Sequence, residues 1–357
     1  MPPLSVALDM TFANRNRGGS GVYGRALLGA LQSRDDVKPW VVEGPRKSDP
    51  VGTMRWLVRG ARRSIATERP DVLHCPSFVA PWVDAVPIVI TVHDAAASRY
   101  PGDHPLEWRI YTRFVMPWRL RAASRIITGS EFAKRELVEV YRLDPGRVTV
   151  IPYGLDPEFL IHKAGAPSVE GPPVMLFPGA PIGRKNLDGV LRAMAAAADG
   201  SALAGVKLDI SGARAQDFPE HSRQIRSLGL EGRVRWLGSV PFAELPAVYC
   251  AATLVVYPSL YEGFGFPPLE AMAVGTPVVA SDRGSLPEVL GDAAVLIDPA
   301  TPRALAQALE GLLTNSDLRR KLKDKGMTRA RQFTWEKCAA RTVEAYREVL
   351  GATRHAS

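Results

Sequence analysis

The chain has 357 residues, 46% hydrophobic and 23% charged, with a formal net charge of +8, which suits a globular protein of about two domains. No run of 18 or more apolar residues occurs, which excludes a membrane-spanning helix, and MPPLSVALDM lacks the basic segment and long apolar core of a signal peptide, so the cytoplasm is the expected location. Three dispersed cysteines, Cys75, Cys250 and Cys338, exclude a disulfide framework or a zinc site and read as reduced, buried thiols. Residues 1–172 carry 23 basic and 18 acidic groups (+5) and the remainder 22 and 19 (+3), a modest excess compatible with nucleic acid, anionic membrane or phosphorylated substrates.

A strand is predicted over 5–10, then a polar loop, NRNRGGSG, and an amphipathic helix over about 22–31. A glycine-bearing turn here, with Gly18 and Gly19, lets a ligand approach the backbone, although the spacing is not a dinucleotide fingerprint. A strand near 37–42, a helix near 54–67 and strands at 71–74 and 88–92 follow. The last ends in TVHD, which puts His93 and Asp94 where a parallel sheet meets its crevice. Taken alone, a histidine there reads as a structural hydrogen-bonding residue.

Two segments of this half mix arginine with apolar side chains. RWLVRGARRSI (55–65) holds four arginines, and WRIYTRFVMPWRLR (108–121) holds four among aromatics with no acid. Both suit the interface of an anionic bilayer. The competing reading is a pair of ordinary helices with solvated basic faces, the second interrupted by Pro117. RIITGS (125–130), a helix over about 131–141 and RVTVIPYGLDPEF complete the half, and the polar piece through Pro173 reads as an interdomain linker.

The second half restarts with a strand at 174–177 followed by APIGRKNLDGVLRAM. Arg184 and Lys185 sit just before a helix, where cations and free N–H donors together can hold a diphosphate. Adjacent residues at a helix start point about 100° apart. Strands at 206–211 and 233–238 come next.

Residues 253–299 then read as strand, loop, helix, strand, loop, helix, strand. The first loop carries Glu262, Gly263, Gly265, Pro267 and Pro268, with Glu270 just inside the helix. Its glycines leave main-chain N–H groups beside a helix N-terminus, a ready anion site. Two carboxylates eight positions apart can face one crevice, and ionised carboxylates accept hydrogen bonds from vicinal hydroxyls such as those of sugars and ribose. Ser285 and Glu288 fit a capping box. The rest is helical, over 302–313, 317–331 and from near Thr334 onward. No cluster of carboxylates or histidines with the character of a metal site stands out.

Glu262 and Glu270, with seven residues between them inside YEGFGFPPLEAMAVGTPVVAS, resemble the paired-glutamate motif of the retaining GT-B glycosyltransferases of family 4. GRKNL resembles the family's phosphate-binding segment and IPYGLDPEF its hinge-proximal signature. The resemblance implies that Glu262 lies by the donor sugar, that Glu270 binds the nucleotide ribose, and that the backbone from Gly265 and Phe266 to Pro268 faces the donor. It places Gly18 and Gly19 by the donor phosphates and acceptor, His93 on the donor sugar, and the main chain of Val240 by the base. Many members carry an arginine soon after the glycine of the phosphate loop. Here Ala180 and Pro181 follow Gly179, which leaves Arg184 and Lys185 as the local cations, Lys185 first.

The expected fold is α/β of the GT-B kind: two doubly wound Rossmann-like domains facing across a cleft, over 1–165 and 173–333, with a last helix, 334–357, crossing back to the first. The implied function is a retaining, metal-independent hexosyl transfer from a nucleotide-diphosphate sugar, GDP-mannose first with UDP-glucose and dTDP-rhamnose open, to a glycan or lipid-linked acceptor. No cofactor is expected, nor nucleic acid as a partner. An anionic membrane surface is a candidate partner, with the protein peripheral at the inner face. The alternatives are a nucleotide-sugar epimerase of the same fold and a non-catalytic anionic-lipid or nucleic-acid-binding protein.

Overall fold

The structure, a computed structural model, describes residues 2–16, 18–45, 49–161 and 171–356. Arg17 of the NRNRGGSG loop and residues 162–170 of the expected linker lie outside the described residues. The chain divides into two compact units, Met1–Gly154 with Phe333–Ser357, and Leu155–Gln332.

The first unit holds a six-stranded sheet of β1 (Leu4–Asp9), β2 (Val37–Val42), β3 (Val72–Cys75), β4 (Ile88–Thr91), β5 (Arg125–Thr128) and β6 (Val148–Val150), in the order β2-β1-β3-β4-β5-β6. The second holds β7 (Val174–Phe177), β8 (Lys207–Ser211), β9 (Val234–Gly238), β10 (Leu254–Tyr257), β11 (Val278–Ser281) and β12 (Val295–Ile297), in the order β12-β11-β10-β7-β8-β9. All the pairings within both sheets are parallel.

Apolar burial explains these strands. Every residue of β3, β4, β10 and β11 is buried, as expected where both faces of a parallel sheet are covered and the sequence reads as a short continuous apolar run. In the second unit Met175, Phe177, Leu254, Val256 and Val279 pack in one core with Leu187, Val190 and Leu191 of helix Leu187–Ala195 and with Leu305, Leu309 and Leu312 of helix Pro302–Thr314.

Strand order fixes where a ligand can bind. In the second sheet the chain steps from β7 to β8 and β9, then returns to the other side of β7 as β10. The carboxyl ends of β7 and β10 therefore bound a crevice, the usual ligand position in such sheets. In the first sheet the reversal falls between β1 and β3.

The last helix, Trp335–Ala356, belongs to the first unit. There the Tyr346 hydroxyl lies 2.6 Å from Nδ1 of His74. Gly154 meets the start of this helix so closely that a Cβ would lie 2.3 Å from the Trp335 nitrogen.

Two local expectations are corrected. The helix expected over 22–31 begins earlier, as Gly19–Gln32 with Gly18 as its N-cap, so the glycine pair opens a helix and is not a loose turn. Pro117 does not interrupt its helix either. Residues 106–122 run continuously through a π-turn, Tyr111–Val115, into Met116–Ala122, where Pro117 sits in the first turn. A proline lacks an N–H to donate, and the wider π-turn before it accommodates the missing bond without ending the run. Among the described residues no helix is long and apolar enough to cross a membrane.

Candidate active site

The loop after β7 delivers both cations to one carboxylate. Gly183–Lys185 form a single 3₁₀ turn, closed by Asn186 in the left-handed region at φ 58°. The Asn186 side chain caps the next helix, its Oδ1 accepting from the Gly189 N–H at 3.2 Å, and donates to the Pro258 and Pro299 carbonyls at 3.3 and 3.1 Å. That one amide ties together the loops after β7, β10 and β12. The Leu260 N–H donates to the Arg184 carbonyl at 2.7 Å, which draws the loop after β10 onto the same turn.

Within this frame Oε1 of Glu262 accepts from Lys185 Nζ at 2.5 Å, Arg184 Nη1 at 3.0 Å and the Tyr257 hydroxyl at 3.1 Å. Lys185 also donates to the Tyr257 hydroxyl, and its ammonium sits 4.4 Å from the centroid of that ring. Arg184 Nη1 donates in addition to the Tyr261 carbonyl at 2.9 Å. Adjacent residues on a 3₁₀ turn point about 120° apart, yet both side chains are long enough to reach one oxygen, because the Leu260 N–H on the Arg184 carbonyl holds the loop that carries Glu262 against this turn.

Glu262 is only 7% exposed. Burial acts to raise its pKa, and the charges of Lys185 and Arg184 together outweigh that and hold the carboxyl below its usual range. It is ionised at neutral pH. A buried carboxylate with two cations and a phenol on one oxygen is a paired charge, which is the form in which a buried charge is tolerated.

The main chain of Glu262 is fixed from the turn after β11. Both the N–H and the hydroxyl of Ser285 donate to its carbonyl, each at 3.0 Å. Gly284 is at φ +68°, and a Cβ there would fall 2.8 Å from the Glu262 carbonyl oxygen. The expected capping box is therefore absent: Ser285 makes no side-chain cap to helix Leu286–Leu290 because its hydroxyl is taken by Glu262.

Gly265, at φ +101°, is the N-cap of helix Phe266–Ala273, a left-handed position that glycine adopts without strain. Phe266 is its first residue, half-buried, with its ring edge-on to Phe264 at 5.1 Å. Glu270, on this helix, stands apart from the cation cluster. Its Oε2 accepts from the Tyr249 hydroxyl at 2.8 Å. Desolvation pushes its pKa up to about 7, Tyr249 partly opposes this and Asp156 adds to it. A carboxylate so poised is a ready acceptor for hydroxyl donors.

Glycines bring the remaining loops of this edge together. Gly212, after β8, is at φ +80°, and a Cβ on it would lie 3.1 Å from Cα of Gly179, after β7. The Gly212 N–H donates to the Gly238 carbonyl at 2.7 Å at the end of β9, and Val240 lies two residues beyond, half-buried.

The first unit carries the other expected site residues. His93 follows β4, with Nδ1 2.9 Å from the Tyr153 hydroxyl and its ring edge-on to Tyr23 and Tyr153 at 5.1 and 5.3 Å. Its Nε2 is buried and makes no hydrogen bond with any described residue. Burial lowers its pKa to about 4, so the ring is neutral at pH 7. Behind it the Thr91 hydroxyl contacts the Tyr23 hydroxyl at 3.1 Å and His74 Nε2 at 2.8 Å. The Gly18 N–H is used within its own loop, donating to Asn16 Oδ1 at 2.6 Å. Gly19 is the first residue of its helix. Among the described residues no group of three or more His, Cys, Asp and Glu is arranged to hold a metal ion.

Residues 160–329 match the family described as Glycosyl transferases group 1, and residues 18–159 match Glycosyltransferase Family 4. O-antigen chain mannosyltransferase B of Escherichia coli is 31% identical over 287 residues, covering 77% of this chain and 74% of that protein. D-inositol 3-phosphate glycosyltransferase of Kineococcus radiotolerans is 33% identical over 346 residues, covering 86% and 79%. In fold, sucrose-phosphate synthase of Thermosynechococcus elongatus superposes with a TM-score of 0.81 at 22% identity, over 98% of this chain and all of that one. The two doubly wound units are those of the GT-B fold, and the chain belongs to the family-4, group 1 glycosyltransferases.

Three contributors escaped sequence reasoning. Tyr257 reads only as the end of an apolar strand and Ser285 as a cap, and Tyr249 carries no signal in the sequence at all. The one available signal was position: Tyr257 ends a strand whose following loop carries Glu262.

Proposed function

We propose that this glycosyltransferase takes a nucleotide-diphosphate sugar, GDP-mannose first, and transfers the hexose with retention and without a metal to a hydroxyl of a glycan or lipid-linked acceptor. The observation that carries this reading is the convergence of Lys185 and Arg184 on Glu262 at the crevice between β7 and β10. Two half-buried cations and a helix N-terminus at Gly265 suit a diphosphate. Glu270 takes the ribose hydroxyls. Mannose is favoured by the resemblance of TVHD, GRKNL and EGFGFPPLEAMA to bacterial mannosyltransferases and by the E. coli relative's name.

In the reaction the bond between the anomeric carbon and the diphosphate oxygen breaks, and the acceptor oxygen bonds to that carbon on the same face. The acceptor proton passes to the leaving phosphate. Lys185 and Arg184 stabilise the negative charge that grows on the diphosphate, and removing one such preorganised donor costs about 10²–10³ in rate. Glu262, released from its cations, orients the sugar and faces the positive charge developing on its ring. Neutral His93 offers Nε2 to a sugar hydroxyl and transfers no proton.

The test is a thermal-shift panel of GDP-, UDP-, ADP- and dTDP-sugars on wild type and Glu270→Ala, followed by NMR of the product's anomeric configuration with EDTA present. A base-selective shift lost in Glu270→Ala, with retained configuration, supports the reading. No shift with any donor, an inverted product, or turnover abolished by EDTA and restored by a divalent cation overturns the corresponding part.

A further inference from the structure

The helical run 106–122 of the first unit has two unlike faces. Its inner face is filled. Trp108 packs edge-on to Phe12 and Phe78 at 6.1 and 5.3 Å, Thr112, Met116 and Leu120 are buried, and Arg119 turns inward to the Pro81 carbonyl with its guanidinium 5.3 Å from the Trp82 ring. Its outer face carries Leu106, Ile110, Phe114 and Trp118, one every fourth residue, exposed by 63%, 51%, 61% and 74%. In an ideal α-helix each four-residue step overshoots a full turn by ~40°, so such a row winds away around the axis. The wider π-turn Tyr111–Val115 in its middle takes back part of that rotation, and all four side chains stay in solvent.

Single exposed apolar residues are ordinary, whereas four in one row form a patch that calls for a partner. Charge identifies which. Arg109 and Arg113 are exposed beside the row and form no ion pair with any described residue, and the Arg113 guanidinium lies 5.7 Å from the Phe114 ring. Glu107 is the only acid from His104 to Ser130. The patch extends towards the neighbouring run 50–68 through Trp82, 39% exposed, whose N–H donates to the Leu57 carbonyl at 2.8 Å. That run exposes Met54 and Val58 together with Arg55, Arg59 and Arg63.

Aromatic and aliphatic side chains in one row, bordered by arginines and almost free of acid, match the boundary of an anionic bilayer, where apolar groups enter the acyl region and guanidinium groups meet phosphates. A second copy of this chain would have to set the arginines of two such faces against each other. A nucleic acid would use the arginines and leave the apolar row in water. We propose that the 106–122 face docks the protein on an anionic lipid bilayer, with Leu106, Ile110, Phe114 and Trp118 inserted and Arg109 and Arg113 on headgroup phosphates. The inference is independent of the donor reading, since its test measures binding and not turnover.

The full chain is sedimented with vesicles of phosphatidylcholine alone and of phosphatidylcholine mixed with phosphatidylglycerol, as wild type, Phe114→Ser/Trp118→Ser and Arg109→Glu/Arg113→Glu. All four positions are exposed, and unchanged melting curves confirm that each variant is folded. Wild type is expected to bind the mixed vesicles, with at least tenfold weaker binding to the neutral ones and in each variant. Equal binding to neutral vesicles, no binding by wild type, or wild-type binding by both variants overturns the proposal. Sedimentation velocity without lipid adds a further arm: a dimer lost in Phe114→Ser/Trp118→Ser would give the face to a second copy and overturn the lipid assignment.

Discussion

Lys185 Nζ lies 2.5 Å from Oε1 of Glu262, so the ammonium proposed to meet the sugar diphosphate is already held by a carboxylate of the protein. On the proposed reading a donor displaces that carboxylate with its own charge. Glu262→Gln keeps the side chain's shape and removes its charge. It should bind nucleoside diphosphate several-fold more tightly than wild type, while kcat falls by at least tenfold. Calorimetric Kd values beside steady-state kinetics check this, and weaker diphosphate binding would show that the carboxylate does not compete.

Lys185→Ala removes the first of the two cations proposed to stabilise the leaving group. A loss of about 10²–10³ in kcat/KM is expected, with the melting temperature lowered as well, because the buried Glu262 carboxylate and the Tyr257 hydroxyl lose a partner.

Tyr257 touches both Lys185 and Glu262 through its hydroxyl, so in the proposed mechanism it acts through them. Tyr257→Phe keeps the ring under the ammonium and deletes the hydroxyl. A hydrogen bond to a charged group is worth about 1.5–3 kcal/mol, so kcat should fall by roughly tenfold or more with little change in donor KM. An equal rise in KM would instead mark a general disturbance of the pocket.

The fold was readable because its strands are short apolar runs between turn residues, and the resemblance around Glu262 and Glu270 pointed to the edge of the second sheet where Lys185 and Arg184 meet Glu262. Contacts between distant segments were not readable. Ser285 and Glu288 have the spacing of a capping box, yet the Ser285 hydroxyl is captured by a carbonyl 23 residues earlier. Pro117 carries the local signature of a helix break, and the π-turn before it absorbs the defect. Arg184 and Lys185 meet on Glu262 because a loop more than 70 residues later is hydrogen-bonded onto their turn through the Leu260 N–H, which nothing in GRKNL announces.

Glu270, with its pKa raised to about 7 by desolvation, binds more protons in the folded protein than in the unfolded chain between roughly pH 4.5 and 7. Its contribution to stability therefore declines as pH rises through that window, so the melting temperature of Glu270→Gln should gain on wild type from pH 5 to pH 8. The ionised form is the better acceptor for ribose hydroxyls, so the donor KM of wild type should fall as pH rises through about 7. Tyr249 donates to the carboxylate and lowers its pKa; Tyr249→Phe should move that limb to higher pH. A limb that stays in place would remove Glu270 from the titration.

His93 is held neutral by burial, with a pKa of about 4. His93→Gln should lower kcat without altering the shape of the pH–rate profile between pH 5.5 and 8.5. Disappearance of a limb in that range would make the imidazole a proton carrier.

Gly284 combines φ +68° with a Cβ position 2.8 Å from the Glu262 carbonyl oxygen. Gly284→Ala should cost roughly 1–3 kcal/mol of stability and displace Glu262, with kcat reduced even in the fraction that remains folded. Chemical denaturation and assays below the melting range separate the two effects.

His74 and its hydroxyl partner Tyr346 are 272 positions apart in sequence, and the whole second unit lies between them. As the chain leaves the ribosome, residues 155–332 can close their own sheet while the first unit still lacks its final helix. Until that helix arrives, His74 and Tyr23 are without Tyr346 and Trp335. The order of synthesis thus leaves the unit that begins the chain as the one completed last, and a nascent chain stalled before Trp335 should expose that unit, and not the later one, to protease.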